Sequence, residues 1–437
     1  MTFLHAHSCK CLKSELLLFD VPLTQTMIED SHWVQYKPIS SLAGESPIEF
    51  VVPSSGLEYL DLAHTILSLK VGIKSTVAEA DMSADAKKLV GNVGFVNNTM
   101  HSLFSQIDCS LNQTPVSPPN NSYPYRAYIE TLLNYGPAAK NSHLSSVLWF
   151  SDTANKMDDT DLENEGLVAR REIMTKKKTI DLIGHIHGDI FNQDRLLLNG
   201  VEMRIRLIRS KDSFCLMDPA GIHSVQVLDA NLLVRRVKIS PGVLLAHAKA
   251  LSKSTAKYPL TRVEVKVLTL TSGTNGQTLD NIILGQLPKR IIIGFVENKA
   301  YNGNRFLNPF NFKNLNINFL CLYVDGNQIP SKALLPDFKG KMYVDCYHSL
   351  FSGCGIHFLN DGNAISRTDY PNGYCLFAFD LTPNISANKM TDWNLIKHGS
   401  VRLDVRFASA LTSTISVIVY ALVRDRPRNQ CVTAGHC

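Results

Sequence analysis

His185, His187 and Asp189 stand in the stretch GHIHGDIF with a single residue between each pair. Imidazole and carboxylate groups at this spacing are ligand types that a hydrolytic zinc centre uses, and such a centre needs at least three protein ligands plus an open position. In a metallo-β-lactamase-type site a further histidine directly follows the aspartate, and here that position is Ile190. In an amidohydrolase-type site the HxH pair ends the first strand of a parallel barrel, and no barrel rhythm is visible in this chain. His143, His223, His247, His357 and His398 fall in no spacing that completes the ligand set. The plainer reading is a histidine pair at a strand edge.

The remaining candidates are weaker. His5, His7, Cys9 and Cys11 near one end and Cys431, His436 and Cys437 at the other could ligate zinc. Zinc modules, however, favour two to four residues between cysteines, and Cys9 and Cys11 have one. Cys354 lies near His357 in sequence, which is not the spatial pair that nucleophilic catalysis requires. There is no Gly-x-Ser-x-Gly elbow, no Ser-x-x-Lys set and no Walker loop. The aromatics of NPFNFKN (Phe310, Phe312) and YPYRAY could stack on bases, but read better as core or subunit contacts. Arg170, Arg171, Lys176, Lys177 and Lys178 follow the acidic stretch Asp158 to Glu165, and together they read as two flanks of one solvated loop. No residue is assigned a catalytic, cofactor-binding or metal-binding role, and no cofactor is expected.

The chain that must position these groups has 437 residues, 45% hydrophobic and 19% charged, which excludes wholesale disorder. A net charge of +5 with scattered Lys and Arg does not form the concentrated basic face of a nucleic-acid binder. No apolar run is long enough for a membrane helix, and the N-terminal stretch lacks the pattern of a secretory signal. Most of the 10 cysteines sit in strand-like apolar runs (Cys109, Cys215, Cys321, Cys375), as small buried hydrophobes do. The expectation is a reduced, intracellular site of assembly, with the sequons at Asn97, Asn112, Asn120 and Asn384 left unmodified.

Alternation with period two dominates. Ile107, Cys109 and Leu111; Met203, Ile205 and Leu207; Val263, Val265 and Val267; and Val401, Leu403, Val405 and Phe407 each alternate mainly with polar residues. These are strands with one buried face. TSGTNGQ, YNGNRFLNP, VDGNQIP and YPNG supply turns, and Asn199-Gly200 is a two-residue hairpin signal. Helical spacing appears in YRAYIETLLNY (Tyr125 to Tyr135) and after Ser240-Pro241, an N-cap with proline at the first helical position. Two β-rich blocks, about Pro47 to Met217 and Ile222 to Asp425, meet at the turn-forming MDPAG (Met217 to Gly221). Each can hold eight short strands, so the expected fold is all-β: two tandem eight-stranded jelly rolls with a few short inserted helices. The boundaries expected are an N-terminal arm over 1–45, jelly rolls over 46–218 and 219–425, and a tail over 426–437.

Long stretches of the sequence resemble one family. They are SELLLFDVPLTQTMIEDSHWVQYKPISSL (Ser14 to Leu42), EYLDLAHTILSLKV (Glu58 to Val71), GHIHGDIFNQDRLLLNGVEMRIRLIRSKDSFCLM (Gly184 to Met217), AKYPLTRVEVKV (Ala256 to Val267), LDNIILGQLPKRIIIGFVENKAYNG (Leu279 to Gly303) and NPFNFKNLNINFLCLYVDGNQIPSKALLPDF (Asn308 to Phe338). Together they resemble the major capsid protein of the Polinton/Maverick and adintovirus group, members of which also occur as integrated copies in animal genomes. The resemblance spans about Ser14 to Ala421. The opening MTFLHAHSCKCLK and the closing LVRDRPRNQCVTAGHC depart from the family pattern.

The resemblance implies a non-enzymatic double jelly-roll capsid protein. Three chains would form a pseudo-hexagonal homotrimer that tiles an icosahedral shell around double-stranded DNA. Its partners would be copies of itself, neighbouring capsomers and penton or minor capsid proteins, with the DNA met indirectly and no membrane span. It would be a virion component, assembled in the nucleus or cytoplasm. Long loops such as Ser151 to Thr179 would form towers or clasps outside the core. Two rival functions are a metal-dependent hydrolase using His185, His187 and Asp189, and a host-domesticated jelly-roll protein that binds carbohydrate or peptide.

Overall fold

A computed structural model describes residues 14–424 except 17, 20, 22, 43, 45, 78–88, 119–120, 175–177, 361 and 388–394. Sixteen strands build two sandwiches. The first contains β1 (Ile28–Tyr36), β2 (Ile48–Val52), β3 (Glu58–Ser75), β4 (Phe104–Leu111), β5 (Thr114–Pro115), β6 (Thr179–His185), β7 (Met203–Arg209) and β8 (His223–Ile239). The second contains β9 (Thr261–Leu270), β10 (Gly276–Gln286), β11 (Arg290–Glu297), β12 (Ile317–Val324), β13 (Asn327–Leu334), β14 (Leu376–Asp380), β15 (His398–Phe407) and β16 (Ile415–Arg424).

Sheet order in the first sandwich is β1-β8-β3-β6 facing β2-β7-β4-β5. In the second it is β9-β16-β11-β14 facing β10-β15-β12-β13, the same order with every number raised by eight. All of these pairs are antiparallel, and the first and last strands of each unit lie side by side, as in a jelly roll. Local residue chemistry drives the strands. On β7, Met203, Ile205 and Leu207 are fully buried while Arg204 and Arg206 point to solvent. Strands β11 and β16 depart from this alternation: Arg290–Val296 and Ile415–Ala421 are buried on both faces. Near-continuous runs such as IIIGFV suit a sheet covered on both sides.

Among the described residues, four helices of eight or more residues interrupt the strands: α1 (Tyr123–Asn134), α2 (Glu165–Glu172), α3 (Pro241–Leu251) and α4 (Val344–Cys354). The first two lie in the connection from β5 to β6. Helix α4 lies in the equivalent connection from β13 to β14, and α3 joins the sandwiches. Tyr125 to Tyr135 and the segment after Ser240-Pro241 are helical as the spacing indicates, with Pro241 at the start of α3.

Pairing moves the expected seam between the units. Strand β8 is central in the first sandwich, with Trp33 opposite Arg235 and Val237 opposite Tyr59. The first unit therefore runs to Ile239, and the join is α3 with the residues up to Thr261, not Met217 to Gly221. Turn residues mark any chain reversal, and MDPAG marks the reversal before a final strand that returns beside β1 and β3. Likewise β1 is a sheet strand although it falls in the span 1–45 read as an arm. Asn199-Gly200 forms a turn, with Gly200 at φ +79°, but no ladder of strands flanks it as a hairpin; Leu197 makes only an isolated bridge to Leu60. The tail over 426–437 lies outside the described residues.

Candidate functional site

The HxHxD residues come from the end of β6 and the turn that follows. His185 is the last residue of β6 and Asp189 opens a short 3-10 turn, Asp189–Phe191. The three side chains diverge. His185 is exposed at its edge; partial burial of its ring lowers its pKa, the neighbouring His64, His187 and His143 add to that, and a backbone hydrogen bond with Thr65 opposes it. His187 Nδ1 lies 2.6 Å from Glu130 Oε2 on α1. Asp189 Oδ1 lies 2.7 Å from Arg126 Nη1 and accepts the backbone N–H of Val263 on β9 at 3.2 Å. A cation at Asp189 would have to displace the guanidinium. Among the described residues no group of three or more His, Cys, Asp or Glu is placed to hold a metal ion.

The motif residues belong instead to a buried polar network at the junction of the two sandwiches. Arg126 and Glu130 stand four residues apart on α1, with Nε and Oε1 3.0 Å apart. Glu130 Oε1 also accepts the hydroxyl of Tyr420, on β16 of the second unit, at 3.2 Å. Burial alone would lift the Glu130 carboxyl, but Arg126 and the His187 hydrogen bond outweigh it and hold it at about 2. Burial raises the Asp189 carboxyl, and Arg126 only partly offsets that. Behind the pair, the His101 ring meets the His187 ring edge-on with centroids 4.6 Å apart, and its Nδ1 lies 2.9 Å from the Tyr123 hydroxyl. Burial first, then the nearby His187 and His185, depress the His101 pKa well below 6.5.

A second lock lies in the segment expected to be solvated. Arg170 is wholly buried; it donates to Phe95 O and Phe150 O and lies 2.6 Å from Asp152 Oδ1. Asp152 in turn accepts the Asn308 side-chain amide at 2.9 Å, and its carbonyl accepts the Tyr374 hydroxyl at 2.5 Å. Asn308 and Tyr374 belong to the second unit. Arg171 donates to Asp161 O at 2.9 Å. The acidic and basic flanks thus fold onto their own backbone and onto the neighbour, and Leu167 and Met157 enter the core, so this loop is not a solvated tower. Lys176 and Lys177 lie outside the described residues.

Aromatic residues fill the space between the locks. Tyr128 on α1 stacks on Phe310 with centroids 4.2 Å apart and planes at 3°. Tyr125 meets Phe310 and Phe312 edge-on and donates its hydroxyl to Pro309 O at 3.0 Å. Phe310 and Phe312 are fully buried, so their stacking partners are this chain's own rings. A third lock joins Asp218 to His223 Nδ1 at 2.8 Å and to Arg305, which also donates to His223 O at 2.8 Å.

The sequence reading missed Arg126, Glu130, Asp152, Arg170, Asp218 and Arg305 as members of one site. One signal was present: a basic and an acidic residue four apart inside the otherwise apolar helix YRAYIETLLNY. Cys354 is buried at the end of α4, and burial lifts its thiol pKa. The His and Cys residues of the two termini lie outside the described residues. The junction's ion pairs, Arg126 with Glu130 and Asp189, Arg170 with Asp152 and Arg305 with Asp218, join opposite charges across packed elements and hold the surfaces together, although Arg126 Nη2, Asp189 Oδ2 and His223 Nε2 are buried without a hydrogen-bond partner.

No family model matches the chain. A protein of Caenorhabditis elegans is 25% identical over 400 residues, covering 88% of this chain and 92% of that one. Among solved structures, the chain is similar to the Sputnik virophage structure, with a TM-score of 0.60, 11% identity, and coverage of 98% of this chain and 95% of that one. It is also similar to the Faustovirus major capsid protein, with a TM-score of 0.57, 8% identity, and coverage of 94% and 92%. Two jelly rolls with one strand order, matched end to end by these structures, make the fold a double jelly roll of the kind seen in viral major capsid proteins.

Proposed function

We propose that this chain is a major capsid protein of the Polinton/Maverick and adintovirus kind, a non-enzymatic building block whose homotrimer tiles an icosahedral shell. The observation that carries the reading is the repeated strand order in two sandwiches, fixed to each other through buried ion pairs and stacked rings. A rigid chain with two like lobes gives six lobes when three copies close in a ring, and a cyclic trimer closes its heterologous contacts on themselves. Closed sandwiches also present side faces to neighbours with few free edges to template strand aggregation.

Its partners on this reading are other copies, penton or minor capsid proteins, and enclosed double-stranded DNA met indirectly. Its place is the virion shell, assembled in the nucleus or cytoplasm of a host cell. Within the described residues no helix is long and apolar enough to cross a membrane. Native mass measurement of the purified chain tests the reading. A stable species at three times 48.6 kDa is expected, and a strict monomer at micromolar concentration overturns it.

A further inference from the structure

Two features at one end of the first sandwich are left uncovered within a single chain. The first is the segment 14–27 leading into β1. Leu16, Leu18, Phe19, Val21, Leu23 and Met27 are 65% to 104% exposed. Phe19, Val21 and Leu23 alternate with Asp20, Pro22 and Thr24, the period of a strand with one apolar face. The second is α3. None of its 11 residues is buried, although Val243, Leu244, Leu245 and Leu251 are aliphatic. Val243, Leu244 and Leu251 rest half-buried on the chain, while Leu245 is 73% exposed. The features are tied at their base, where Ser240 N donates to Met27 O at 2.8 Å.

Soluble proteins rarely leave a contiguous apolar strip in water, and a helix of this length is marginal in water without packing. The charges of the two features are opposite. From Ser14 to Met27 the sequence holds Glu15 and Asp20 and no basic residue. From Pro241 to Tyr258 it holds Lys249, Lys253 and Lys257 and no acidic residue. An apolar acidic segment and an apolar basic helix fit each other. Because one chain carries both, each copy can give an arm to one neighbour and receive one from the other, which closes in a ring.

We infer that segment 14–27 of one copy lies across α3 of a neighbouring copy, its apolar side chains on Leu245 and its acids toward Lys249 and Lys253. This rests on the capsomer reading above. The test places a benzoylphenylalanine photocrosslinker at Leu245 in the full chain and mixes light and heavy-isotope copies before irradiation. Crosslinks from residue 245 to peptide 14–27 in mixed light–heavy pairs are expected. K249E with K253E should weaken association about tenfold, the scale of two exposed ion pairs, and E15K with D20K in the same chain should restore it. Trimers whose crosslinks fall only within a copy, or elsewhere, overturn the arm contact and leave the capsomer reading standing. A strict monomer overturns both. Binding of trimers to phosphatidylglycerol vesicles, lost in the K249E and K253E variant with no arm crosslink, assigns this face to a lipid surface and overturns the inference.

Discussion

His187 Nδ1 lies 2.6 Å from Glu130 Oε2, which ties the end of β6 to helix α1 and, through the Tyr420 hydroxyl on the same carboxylate, to the second sandwich. Glu130 is shared by three partners, so removing its charge leaves Arg126 with Asp189 alone and takes the carboxylate partner from His187. Breaking a buried pair by deleting one partner costs about 3–5 kcal/mol, because the other charge stays desolvated. E130Q is therefore expected to lower stability by about 3 kcal/mol or more in urea unfolding. A loss below about 1 kcal/mol, the net worth of an ordinary hydrogen bond, would show that the junction does not depend on this carboxylate.

Acid should loosen the same region. His101 is kept neutral inside the fold, its pKa depressed well below 6.5 by burial and then by His187 and His185. Below that value the unfolded chain takes up a proton that the folded chain refuses, so stability falls as pH drops. The slope approaches about 1.4 kcal/mol per pH unit for one proton. Glu130, held at about 2 against an ordinary 4.5, adds a second loss across that lower window. Asp189, with its raised pKa, binds its proton more readily in the fold and offsets part of this. Unfolding measured from pH 7 to 5 should show the first slope, and H101N should flatten it.

Arg170 and Asp152 form a pair with no exposed side-chain surface. R170M leaves the Asp152 carboxylate facing only the side-chain amides of Asn164 and Asn308, and a loss of about 3–5 kcal/mol is expected. Because Asn308 bonds the other oxygen of Asp152, a cycle of R170M with N308A should show a coupling of about 0.5–3 kcal/mol. Strictly additive losses would mean that the bond across the junction is independent of the ion pair.

The strands were legible because each needs only a local signal, alternation of apolar and polar residues such as Met203 to Leu207. The helices α1 and α3 were legible for the same reason, one from its apolar spacing and one from Ser240-Pro241. The domain seam was not, because a jelly roll's last strand returns beside its first, and nothing local to MDPAG distinguishes that return from a new domain. The buried locks were hidden differently. Arg170 sits among charges that look solvated, and its burial is met by Asp152 and the Phe95 and Phe150 carbonyls, with Asn308 and Tyr374 of the second unit holding Asp152 in turn. The HxHxD pattern was legible as a polar cluster, but its partners Glu130 and Arg126 lie more than fifty residues earlier.

The rings between the locks should decide whether the sandwiches unfold together. Phe310 stacks on Tyr128 and touches Tyr125, so F310A removes a fully buried ring whose truncation costs about 3–5 kcal/mol. The loss falls at the contact between units, not within either core. Calorimetry of the parent chain should give one transition, and F310A should separate it into two. A single transition lowered as a whole would place the cement elsewhere.

Gly353, near the end of α4, tests how closely the second unit's helix lies on its sheet. A Cβ built there would sit 2.3 Å from the Ala378 carbonyl oxygen and 2.4 Å from its carbon, both backbone atoms of β14. Backbone cannot rotate aside as a flexible side chain can, so G353A must push α4 off the sheet. Alanine would otherwise favour a helix by about 1 kcal/mol over glycine. Overpacking of this kind costs about 1–3 kcal/mol, so the close approach decides the sign and G353A should destabilise the chain. A substitution at Gly242 in α3, where nothing lies within 4 Å of the built Cβ, provides the control. G242A should be neutral or stabilising in the same unfolding assay, and equal losses at both positions would remove the helix–sheet contact as the cause.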